Sequence, residues 1–107
     1  MNLKLKTTTN GNNLVDLQGE LDAIGTQTIR PALEDLIENL NQRHLVIDLS
    51  RVVFIDSSGI GALVFLFKRL RQRDKTMEII GVQGQPRELF ELLRIHKAIH
   101  TSWMQAA

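Results

Sequence analysis

The chain has 107 residues, a formal net charge of +1, and 43% apolar against 23% charged residues. That length suits one compact domain with a single core, burying roughly two-thirds of the surface the unfolded chain exposes, and the charge balance lacks the basic surplus that a nucleic-acid or membrane surface calls for. The absence of cysteine excludes a disulfide framework and a thiolate metal site. The stretch Met1 to Leu14 has no charged head followed by an apolar run, and the longest apolar run, Ala62 to Phe67, is too short to cross a bilayer. A soluble, cytoplasmic protein with one domain over residues 1–107 is expected.

Leu3 and Leu5 alternate with Lys4 and Lys6, which marks a strand that Asn10-Gly11-Asn12-Asn13 ends. Asn-Gly is a hairpin signal, so Leu14 to Gln18 is expected to return antiparallel. Apolar residues at 29, 33, 36, 37 and 40 have helical spacing and predict a helix from Thr28, as N-cap, to about Asn41; Pro31 then falls in the first turn, where amides have no carbonyl partner. Leu45 to Leu49 reads as a strand in the middle of a sheet or covered on both faces, and Arg51 to Ile55 as a buried linker. Strand, helix, strand in succession implies parallel pairing with a right-handed crossover.

From Gly59, residues Ile60, Leu63, Val64, Phe67 and Leu70 form a helical stripe that Phe65 and Leu66 widen, so the helix is largely buried or offers an apolar surface to a partner. Lys68, Arg69, Arg71 and Arg73 match the negative end of its dipole and are assigned no site. Met77 to Val82 predicts another strand and Gln83 to Pro86 its exit turn. Pro86 begins a helix carrying Leu89, Phe90, Leu92 and Leu93, with Ile95 near its end. Ala98 to Trp103 is too short to classify, with Trp103 as packing.

The resulting order, β-β-α-β-α-β-α, sends three strand ends, near Asp22, Asp56 and Gly81, to one edge of the sheet, where sites form in open α/β sheets. This gathers Asp22 and Asp56 around Ser57 and Ser58 at the mouth of a helix. Three readings compete for the cluster. In the first, Asp56 or Ser57 only caps the helix, and Gly59 and Gly61 allow close packing. In the second, a serine is a nucleophile, which requires a nearby base; of the three histidines, His44 lies at the far end of a strand, roughly 15 Å or more away at about 3.3 Å per residue. His96 and His100 come late in the chain, and the Gly-x-Ser-x-Gly elbow is absent. Two carboxylates are also too few to define a divalent-cation site. In the third, a serine accepts a phosphate near free helix amides, its added charge of about −1.5 to −2 opposed by Asp22 and Asp56, so that a partner docked over the neutral hydroxyl is repelled.

The string Val53-Phe54-Ile55-Asp56-Ser57-Ser58-Gly59-Ile60-Gly61, preceded by Leu45-Val46-Ile47-Asp48-Leu49, resembles the signature of STAS domains, specifically the bacterial anti-sigma factor antagonists. Gly19-Glu20-Leu21-Asp22 is similar to the second motif of that family, and Leu89 to Leu93 falls where its late helix is expected. The resemblance implies a single α/β domain with a mixed four- to five-stranded sheet and helices mainly on one face. It implies Ser57 as phosphoacceptor, with Asp22, Asp56, Ser58, Gly59 and Gly61 shaping the phosphosite and partner surface. It also implies an anti-sigma factor that is a serine protein kinase as partner, bound by the unphosphorylated chain to free a sigma factor and regulate transcription, and a serine phosphatase that reverses the modification. No catalytic residue, cofactor, metal, nucleic acid or membrane is part of that expectation. Related domains regulate other targets, including phosphorelay and biofilm pathways and transport complexes, which is the alternative. The chain departs from the family in one place: a hydroxyl usually stands three residues after the aspartate of the Gly-Glu-Leu-Asp motif, whereas here that position is Gly25, and Thr26 follows.

Overall fold

A computed structural model describes residues 1–105. Among these, the order is β1 (Asn2–Thr7), β2 (Asn13–Leu21), α1 (Ala23–Asn39), β3 (His44–Ile55), α2 (Ser57–Arg71), β4 (Thr76–Val82), α3 (Gly84–Leu93), α4 (Ile95–Ala98) and β5 (Thr101–Trp103). The strands form one mixed sheet in sequence order, with β1 antiparallel to β2 and the later neighbours parallel. The hairpin loop closes where expected. Thr8 N–H donates to the Asn12 carbonyl at 2.8 Å, and Gly11 takes a φ of 84°.

Alternate strand residues, including Val15, Leu17, Leu45, Ile47, Leu49 and Ile79, meet the apolar stripes of α1 and α2 and the side chains of Phe90, Ile95 and Ile99 in one core. The helices therefore lie mainly on one face. On the opposite side of the strands, Asp16 is buried and paired with Lys6 at 3.1 Å. Trp103 packs against the core edge with the Arg87 guanidinium over its ring. Arg69 and Arg73 pair with Glu38 on α1, at 3.9 and 3.1 Å, so these two members of the basic cluster at the end of α2 fasten two helices together.

Three expectations change. The first helix begins at Ala23 with Asp22 as its N-cap, not at Thr28, whose hydroxyl donates to the Ile24 carbonyl inside the helix. Pro31 consequently sits in the helix interior, where it removes the bond to the carbonyl four residues earlier; a proline in the sequence favours a later start, because the first turn tolerates it best. Arg51 to Ile55 is not a linker but the second half of β3, which runs on beside β2 with two register shifts. Those shifts break the alternation, which is why the segment did not read as strand. Finally, Ala98 to Trp103 resolves into the end of α4 and the short strand β5, and Ile95 opens α4 after Arg94 turns through a φ of 58°.

Candidate functional site

The site grows out of two adjacent strand ends. Leu21 and Ile55 are paired neighbours on β2 and β3, and the next residues, Asp22 and Asp56, each cap the helix that follows. Asp22 Oδ1 accepts from Gly25 N–H at 2.8 Å, and Asp56 Oδ1 from Ser58 and Gly59 N–H at 2.9 and 3.2 Å. Asp56 N–H in turn reaches the Leu21 carbonyl at 3.4 Å. Each carboxylate satisfies donors that lack partners inside the helix, worth about 1 kcal/mol per cap.

Two glycines let these helices start so close to the sheet. A Cβ on Gly59 would stand 2.3 Å from the Leu21 carbonyl oxygen and 2.7 Å from Ile55 Cγ1; one on Gly25 would stand 2.1 Å from the Glu20 carbonyl oxygen. The departure at Gly25 thus has a steric reason in this chain. The position has no room for a side chain, and the hydroxyl comes one residue later, on Thr26.

β3 is braced from the other side by Gln85 of α3. Its amide donates to the Ile55 carbonyl and accepts from Ile55 N–H, both at 2.8 Å, and so replaces a missing strand neighbour. β4 ends its pairing with β3 at Asp48, and Gly81 lies against Asp48 and Ser50 instead of Asp56. The expected third strand end is therefore absent from the site, and a side chain from α3 takes its place. Gln85 was not singled out in the sequence, because nothing local marks a glutamine that bonds 30 residues away.

Between α1 and α2 opens a cleft of about 270 Å³ lined by Thr26, Arg30, Leu33 and Glu34 from one helix and by Ser57, Ser58, Gly61, Ala62 and Phe65 from the other. Within each set, residues recur three, four, seven or eight positions apart, so each is one helix face. Ser57 and Ser58 are exposed, and neither hydroxyl makes a hydrogen bond among the described residues. Asp56 and Gly59 lie behind this wall as cap and packing point. Asp22 borders a different depression, with Met1, Glu20, Ile24 and Thr28, so its carboxylate is a neighbour of the cleft and not part of its lining. No histidine lines the cleft: His44, at the opposite end of β3, bonds Thr76 and Glu78, at 2.6 and 2.9 Å.

Asp56, not Ser57, is the cap, so both hydroxyls are spare. The amides expected to receive a phosphate are in part occupied, since the Asp56 carboxylate already holds those of Ser58 and Gly59.

Fold and site together define an α/β domain that presents two unbonded serine hydroxyls at the mouth of a helix. The chain belongs to the STAS domain family, whose model matches residues 4–105. It is 33% identical to the anti-sigma-B factor antagonist of Staphylococcus aureus over 106 residues, covering 95% of this chain and 94% of that protein. Among solved structures, an anti-sigma factor antagonist from Mycobacterium paratuberculosis superposes with a TM-score of 0.84 at 21% identity, covering 94% of this chain and 84% of that one. The Bacillus cell fate determinant SpoIIAA in its phosphorylated form superposes with a TM-score of 0.70 at 20% identity, covering 94% and 90%. At these identities the two structures establish the shared fold. No helix among the described residues is long and apolar enough to cross a membrane.

Proposed function

We propose that this domain is a cytoplasmic anti-sigma factor antagonist whose binding is controlled by phosphorylation of Ser57. Unphosphorylated, it binds an anti-sigma factor that is also a serine kinase and so frees a sigma factor. The kinase transfers a phosphoryl group to the Ser57 hydroxyl, the complex parts, and a serine phosphatase restores the hydroxyl. Catalysis belongs to the partners, and this chain is substrate and ligand.

The observation that carries the reading is that Ser57 opens α2 with an exposed hydroxyl free of hydrogen bonds while Asp56 does the capping. Modification there removes no structural contact. The likeness to an anti-sigma-B factor antagonist along nearly the whole chain supplies the class of partner. Ser57 is preferred to Ser58 on its place in the family motif.

The test is binding of two variants to the anti-sigma factor captured from the native cell. Ser57→Ala is expected to bind like the native chain and to take up no phosphate. Ser57→Asp is expected to bind more weakly, because it adds charge beside Asp56. Equal affinities for the two would remove the switch.

A further inference from the structure

We infer that the phosphoryl group on Ser57 is held across the cleft by the Arg30 guanidinium and the Thr26 hydroxyl of α1, and not by the Ser58, Gly59 and Ile60 amides of its own helix; this rests on the reading of Ser57 as phosphoacceptor. The first ground is occupancy. A phosphate at a helix N-terminus ordinarily takes free amides, but Ser58 and Gly59 N–H donate to Asp56 and Ile60 N–H donates to the Asp56 carbonyl at 3.0 Å, which leaves only the Ser57 amide of this turn without a partner among the described residues.

The second ground is Thr26. It is only 3% exposed, it lines the cleft, and its Oγ1 has no hydrogen-bond partner among the described residues. Leaving a buried hydroxyl unpaired costs about 1–3 kcal/mol; Oγ1 itself is enclosed, so a phosphate oxygen becomes its acceptor once the Thr26 side chain rotates toward the cleft it lines.

The third ground is Arg30. It lies one turn beyond Thr26 on the same face, lines the same cleft, and forms no ion pair with a described carboxylate. α1 and α2 both leave the ends of parallel strands, so they run in the same direction, and helical side chains lean toward the N-terminus. The Arg30 side chain therefore leans back toward the end of the cleft that carries Ser57, where a planar guanidinium suits a phosphate. Glu34, a turn further along α1, is the opposing charge in the cleft, Asp56 is the opposing charge beside Ser57, and Asp22 borders the neighbouring depression.

These charges act on the phosphate's second ionisation in opposite senses. The carboxylates favour the monoanion and raise that pKa, and Arg30 favours the dianion and lowers it. The experiment is a phosphorus NMR titration of the full chain with phosphoserine genetically encoded at position 57, compared with the same chain carrying Arg30→Gln, Arg30→Lys or Thr26→Val. Arg30→Gln is expected to raise the phosphate's second pKa by roughly 0.5–1 unit, Thr26→Val to raise it by less, and Arg30→Lys to restore most of the difference. A second pKa that does not move in Arg30→Gln would overturn the inference. Because the phosphate is installed without a kinase, this result is independent of whether a kinase chooses Ser57. A phosphate mapped to another residue in a kinase reaction defeats the proposed function and leaves the titration result to stand by itself.

Discussion

At Gly59 and Gly61 one residue type does two different jobs two positions apart. A Cβ at Gly59 has nowhere to go, at 2.3 Å from a backbone oxygen, whereas one at Gly61 meets nothing within 4 Å. In urea unfolding, Gly59→Ala is expected to cost about 1–3 kcal/mol, the range for overpacking. Gly61→Ala, in the interior of α2, is expected to stabilise by about 0.5–1 kcal/mol through helix propensity. If both changes destabilise alike, the tight contact of α2 with the end of β2 is not where the geometry puts it. The Asp-Ser-Ser-Gly string was readable as a helix mouth, but which residue caps was not. Asp56 and Ser57 are both good N-caps, and only the backbone decides that Asp56 has extended geometry and Ser57 is already helical.

At the scale of elements, β3 decides where the site stands. Its last residues extend past their pairing with β4 and are held by β2 on one side and by the Gln85 amide on the other. Gln85→Ala leaves the N–H and carbonyl of buried Ile55 without partners and is expected to cost about 1–3 kcal/mol. Hydrogen exchange at the Ile55 amide is expected to quicken more than at Ile47, mid-strand; equal effects at both would show that Gln85 does not hold this strand end. The order of elements was legible because apolar periodicity is local. The start of α1 was not: Gly25 and Pro31 both argue against helix, and what overrides them is the Asp22 cap and the packing of the first turn on the β2 backbone. That missed turn hid half of the cleft. With the helix begun at Thr28, Thr26 fell outside it, although Thr26, Arg30 and Leu33 follow helical spacing and could have marked one face.

For the whole molecule, the core lies beneath the helices, while Ser57 stands at an exposed helix mouth whose cap is a different residue. A charge at Ser57 therefore has no need to unfold or rearrange the domain in order to change what docks on it. Ser57→Asp is expected to alter stability by no more than about 0.5 kcal/mol, as for other surface changes, and so to shift the melting temperature by a few degrees at most. A larger loss would mean that the hydroxyl has a structural duty. The central claim is the phosphorylation-controlled contact, and its most direct measurement uses the captured anti-sigma factor with ATP, following peptide-resolved mass and affinity together. The expected result is one phosphate, on Ser57, absent from Ser57→Ala, with affinity for the partner reduced roughly tenfold or more. Phosphate on a different residue, or equal affinity before and after modification, would contradict it.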